Sequence, residues 1–135
     1  MPRKSFQPAK MLDGTHFAMA QVVKSQGESY LHIAGQTAID ETGAQVGDDF
    51  ASQLKASLEN VRIALEAAGA TPKDLVRVTT YIVDLKPELL ENYVVALSAI
   101  FDSENLPACS MIGVQALAQP GLLVEVEATA VLDND

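Results

Sequence analysis

Two stretches of the chain repeat apolar residues at helical spacing. In the first, Phe50, Leu54, Leu58, Val61 and Leu65 form one apolar stripe. Asp48 and Asp49 precede it with capping oxygens and favourable charge, and Gly69 is placed to end the helix. In the second, Leu89, Leu90, Tyr93, Val94, Leu97, Ile100 and Phe101 fall on one side. Pro87 suits the first turn there, because a missing N–H costs nothing at that position.

Elsewhere the pattern alternates, as strands require. Residues Leu75–Val83 are rich in β-branched and aromatic types, with Val76, Val78, Thr80 and Ile82 on one parity. Residues Leu122–Val131 put Val124, Val126, Ala128 and Ala130 on one face and Glu125, Glu127 and Thr129 on the other. Ala108–Gln115 sets Cys109, Met111 and Gly113 on one parity, and Phe17–Val23 with Tyr30–Gln36 reads as an opening hairpin. The expected order is β-β-α-β-α-β-β, an α+β fold with a mixed sheet and both helices on one face. The other sheet face is expected to carry Tyr81, Met111 and Val131 beside Arg77, Glu125 and Glu127. A symmetric oligomer covering that face accounts for its mixed character, and a solvated face with scattered apolar residues is the alternative.

Length and composition narrow the class. At 135 residues the chain is expected to be one domain, 1–135, able to bury a core without staples. Apolar residues make up 48% and charged residues 20%, which argues for a globular protein rather than a disordered one. No apolar run reaches membrane-spanning length and the N-terminus lacks a signal-peptide core, so a cytoplasmic protein without membrane contact is expected. The net charge of −9 and the scattered lysines and arginines exclude the basic cluster that nucleic acid binding needs. Cys109 is the single cysteine, which excludes an internal disulfide and a Cys-clustered zinc site. As a free thiol it reads first as a buried inert side chain and second as a nucleophile that needs a stabilising cation.

The local text carries a resemblance. Ala34-Gly35-Gln36, the helix closing in Ala67-Ala68-Gly69, Val78–Leu85 ending in Asp84-Leu85, Pro107-Ala108, and Val124-Glu125-Val126-Glu127-Ala128 occur in a specific order and spacing. Together they resemble the Rid (YjgF-type) family of reactive-intermediate deaminases over nearly the whole chain. The resemblance implies a chorismate-mutase-like fold and a homotrimer whose sheets form a barrel, with ligand sites in clefts between subunits. It also implies hydrolysis of small enamines and imines to a 2-oxo acid and ammonia, with no metal or cofactor.

Residue by residue, the resemblance assigns Glu125 to the carboxylate that holds or activates water, a role that suits acid–base chemistry. Read without it, Glu125 is a strand-face carboxylate paired with a neighbour such as Arg77. Asn92 and Phe17 match polar and aromatic positions near the family's cleft, Ala34 stands where serine is common, and Met111 where a smaller residue is common. Cys109 occupies the third position of the Pro-Ala-Arg signature, whose arginine clamps a substrate carboxylate as a fork donor. A thiol offers neither the charge nor the fork. The expectation is therefore a divergent hydrolase acting on an enamine or imine other than the standard 2-imino acids. The competing expectation is a non-enzymatic trimer that binds a small molecule or acts as a chaperone-like surface.

Overall fold

The computed structural model describes residues 3–17, 20–25, 29–101 and 106–132. Among them six strands form one sheet: β1 (Arg3–Phe6), β2 (Val22–Ser25), β3 (Tyr30–Gln36), β4 (Leu75–Val83), β5 (Ala108–Val114) and β6 (Val124–Val131). Their order is β1-β2-β3-β6-β4-β5, antiparallel throughout except for the β4–β5 pair. Helices α1 (Phe50–Ala67) and α2 (Leu89–Ser98) supply the second layer. The core lies between them and one sheet face, where Leu54, Val61 and Leu65 meet Leu31, Ile82, Val124 and Val126. The mixed α+β architecture expected from the periodicities is the one observed.

Helix α1 follows its sequence signals closely. Asp49 accepts from Ser52 N at 2.8 Å, and the chain leaves the helix through Gly69 at φ +78, a conformation that favours glycine. Helix α2 buries a narrower stripe than the spacing implies. Tyr93 and Leu97 are buried, whereas Leu90 and Val94 are half exposed.

Four other expectations need correction. The first strand of the opening hairpin starts at Val22, and Phe17 ends a short 3-10 turn, Gly14–Phe17. Polar side chains hold that segment as a turn: Asp13 Oδ1 accepts from Thr15 N at 2.9 Å, and Gln7 Oε1 accepts from Gly14 N at 3.0 Å. Strand β1 has no apolar alternation to reveal it, and is defined by edge pairing of Ser5 with Val23. In β4 a register shift between Leu75 and Arg77 turns Leu75 inward and leaves Val76 exposed. Met111 pairs in register with Thr80 and packs against the core, so it belongs to the helix-covered side rather than to the open face.

The open face nonetheless keeps its mixed character. Ile112 and Val131 are exposed there beside Arg77, Glu125 and Glu127.

Candidate functional site

Chemistry-bearing residues gather in two places. The first is the end of the sheet where β3 meets β6. A register shift between Ile33 and Gln36 puts an extra residue into β3, so that Gln36 pairs with Val126 and Gly35 comes under Glu125. A Cβ on Gly35 would lie 2.6 Å from both Cδ and Oε2 of the Glu125 carboxyl, so a glycine is what leaves room for it. Beside the carboxyl is a cavity of about 210 Å³, lined by Leu12, Gln21, Gln36, Ile39 and Asn60 among others.

Amide side chains fix the walls of this cavity. Gln36 Nε2 donates to Gln21 Oε1 at 2.8 Å and to the Ala34 carbonyl at 3.0 Å, and Gln21 Nε2 donates to the Leu12 carbonyl at 2.9 Å. Asn60 Nδ2 reaches from α1 to the carbonyls of Thr37 and Ile39, at 3.0 and 2.9 Å. Gln53, fully buried, accepts from Leu123 N at 2.8 Å and donates to the Gly121 carbonyl at 2.9 Å, tying α1 to the approach of β6. Buried polar groups with partners on several segments set a rigid geometry.

Burial, and next the neighbouring Glu127, push the Glu125 carboxyl above its ordinary value. Glu127 accepts a hydrogen bond from Tyr81 Oη at 2.6 Å. Arg77 donates to Ser110 Oγ at 2.6 Å, so the pairing with Glu125 that a plain strand face would suggest is absent. Glu125 thus has the environment of a carboxyl able to hold and return a proton.

The second place lies under α2, around Cys109 on β5. Cys109 pairs with Val78 and Met111 with Thr80, on the sheet side that the helices cover. The expectation of a buried cysteine is not met: Cys109 is exposed at the end of the strand, its thiol 3.6 Å from the Pro107 carbonyl. Partial burial of the sulfur still pushes the thiol up, against smaller opposing effects from Tyr93 and Arg77. A raised thiol stays neutral near pH 7 and is a poor nucleophile.

The remaining positions separate. Ala34 is half-buried next to Gly35, and its N–H donates to the Gln21 carbonyl at 2.9 Å. Asn92 is exposed on α2, where it lines a groove of about 540 Å³ against Lys55 and Glu59 of α1. Phe17 is placed in its turn, and its side chain lies outside the described residues. Within one chain, then, the fold brings Glu125 and Ala34 together and leaves Cys109, Met111 and Asn92 elsewhere. Strand β4 lies between β6 and β5, and Glu125 and Cys109 project from opposite sheet faces. Sequence reasoning did not single out Gln53 or Gln21 for the site, since a buried amide has no signature in apolar periodicity.

Among the described residues no group of three His, Cys, Asp or Glu could hold a metal ion, and no helix is long and apolar enough to cross a membrane. The Endoribonuclease L-PSP family profile matches residues 16–132. The chain is 39% identical over 103 residues to a RutC family protein of Pyrococcus abyssi, covering 76% of this chain and 78% of that one. It is 34% identical over 105 residues to a 2-iminobutanoate/2-iminopropanoate deaminase of Salmonella typhimurium, covering 76% and 80%. Among solved structures, a Rid-family protein of Yersinia pestis is similar at 40% identity and TM-score 0.75, covering 98% of this chain and 100% of that one. A RidA from Psychrobacter is similar at 25% identity and TM-score 0.83, covering 96% and 99%.

Proposed function

The chain belongs to the Rid family of Endoribonuclease L-PSP domains, and from that membership we propose that it is a divergent hydrolase of small enamines and imines. In this reading residues 1–135 form one domain and Glu125 is the catalytic acid–base. The observation that carries it is the Glu125 carboxyl, packed over Gly35 beside a cavity and held above its ordinary pKa. Protonated Glu125 gives its proton to the imine nitrogen, which makes the carbon electrophilic. The carboxylate then takes a proton from a water attacking that carbon, and collapse of the adduct leaves a carbonyl compound and ammonia. An enamine enters the same path after protonation at carbon.

The site is proposed to be shared between subunits of a homotrimer. Glu125 and Cys109 lie on opposite faces of one sheet, so a cleft holding both needs a second copy. The open face with exposed Ile112 and Val131 is suited to covering by such a copy. Sedimentation equilibrium at micromolar concentration is then expected to give three chain masses, and a species of 14.4 kDa would sink the trimer.

The substrate is proposed to differ from the standard 2-imino acids. The chain has Cys109 where the family signature has its arginine, and the thiol beside β4 is neutral. A buried carboxylate without a cation carries a desolvation cost of several kcal/mol. Ammonia release from freshly generated neutral, cationic and anionic enamines and imines tests the activity directly. Wild type is expected to release ammonia, and Glu125→Ala to lose roughly 10²–10⁴-fold. Equal rates in the two proteins would refute the role of Glu125. Absence of release across the panel would favour the second reading, a non-enzymatic binding protein, which the groove between α1 and α2 around Asn92 supports.

A further inference from the structure

The sheet face that carries Glu125 holds a second carboxylate that the proposed chemistry does not use. Glu125 and Glu127 are two residues apart on β6, so both project from the same face, with Cα atoms about 7 Å apart. Strand β4 lies alongside, Tyr81 paired with Glu125 and Thr79 with Glu127. The Tyr81 side chain does not run straight across to its partner. It reaches along the diagonal, and its Oη donates to Glu127 Oε1 at 2.6 Å in a partly buried bond.

The other basic groups on this face are engaged farther along the sheet. Arg77, paired with Thr129, donates to Ser110 Oγ at 2.6 Å. His32 of β3, also paired with Thr129, has its Nδ1 3.5 Å from Thr129 Oγ1. On its other side Glu125 borders the cavity, whose remaining lining residues are uncharged, Gln21, Gln36 and Asn60 among them. From β3 it meets Gly35, which brings no side chain. Glu127 is thus the carboxylate that faces Glu125, and Tyr81 is what holds it there.

The short bond from a phenol to a carboxylate is of the charge-assisted kind. That bond first, and burial next, push the Tyr81 phenol above its ordinary value, so Tyr81 stays the donor. An anchored Glu127 stays in place when a second negative charge forms on Glu125, and two carboxylates on one face oppose joint ionisation.

We propose that Tyr81 and Glu127 are a positioning pair for Glu125: Tyr81 anchors the Glu127 carboxylate, and the anchored charge keeps on Glu125 the proton that it delivers to the imine. The pair acts through Glu125, without contact with the substrate. The proposal rests on Glu125 as the acid–base of the hydrolase reading and adds the neighbours that set its proton.

Two variants separate charge from anchor. Glu127→Gln removes the charge, while its amide oxygen can still accept from Tyr81. Tyr81→Phe keeps the charge and removes the anchor. Each is read by kcat for ammonia release against pH, and by the carbon-NMR shift of the Glu125 carboxyl against pH, assigned with Glu125→Gln. In wild type, turnover should fall as pH rises through the Glu125 titration, because the proton donor is lost. In Glu127→Gln that fall and the carboxyl titration should both move to lower pH. On the alkaline limb kcat should then drop about three- to tenfold, with the acid end and KM as in wild type. Tyr81→Phe should move both in the same direction by less.

A Glu125 carboxyl that titrates in Glu127→Gln where it does in wild type overturns the pair. A kcat lowered equally at every pH does so too, since it marks a structural role, and a raised KM at unchanged kcat marks contact with substrate instead. Tyr81→Phe without any shift removes Tyr81 as the anchor, and it decides the pair by itself if Glu127→Gln fails to fold. A wild type that releases no ammonia sinks the hydrolase reading alone, and the carboxyl titration still decides the pair.

Discussion

The end of the sheet around Glu125 and the space under α2 around Cys109 both hold buried polar side chains, in opposite states. At the first, Gln21, Gln36, Gln53 and Asn60 find partners on loops and on β3, and the Glu125 carboxyl packs over Gly35. At the second, Tyr93 and Thr80 find none. Networks of the first kind specify a unique arrangement, because each atom has one place to bond. At the second, the Tyr93 ring still packs in the core while its hydroxyl adds no fixed bond of that kind. The contrast is between a region whose polar side chains are held in place and one whose hydroxyls are only enclosed.

If the first region is rigid by design, Gln53→Ala should show the largest loss of stability. It strands Leu123 N and the Gly121 carbonyl, at about 1–3 kcal/mol for each group left unpaired. Denaturant unfolding at fixed protein concentration measures it, and a change under 0.5 kcal/mol would place Gln53 outside the network.

Gly35→Ala sharpens the distinction between placement and stability. The atoms its Cβ meets are the far end of the flexible Glu125 side chain, which can swing away at small cost. Folding stability should therefore change little, while ammonia release falls on the order of 10²-fold through a carboxyl displaced by about 1 Å. A variant with wild-type kcat would show that Glu125 works from another position.

Asn60→Ala is expected to cost about 1–2 kcal/mol, through loss of the bonds to Thr37 and Ile39. Activity should decline with it, since those carbonyls border the cavity. Unfolding and turnover measured on the same preparation would separate the two effects.

The smallest expected effect is a pH dependence. Burial and Glu127 raise the Glu125 pKa in the folded state, so the folded chain favours the protonated form. Wild-type stability from this group is then fully present below the unfolded value, near 4.3, and is lost as pH rises through the folded one. Glu125→Gln escapes that loss. It should be more stable than wild type at pH 7, with the gap closing below about pH 4. A gap that widened on acidification would mean the carboxylate is stabilised in place.

Much of the fold is determined by local pattern. The 3.6-residue stripe of α1 with its Asp49 cap, the alternation of β6 and the β-branched run of β4 each act within a few neighbouring residues, and the chain adopts them where expected. Glu125 could be singled out because Val124-Glu125-Val126-Glu127-Ala128 is a local text. Long-range contacts decided the rest. Strand β1 exists through pairing with β2, Val76 turns outward because β4 and β6 slip by one residue, and Met111 packs against the core because β5 aligns in parallel with β4. The company kept by Glu125 and Tyr93 depends on residues far apart in the chain, such as Gly35 and Thr80, meeting in space. Alternation along a strand tells which residues share a face, but only packing against the other layer tells which face that is and what waits there.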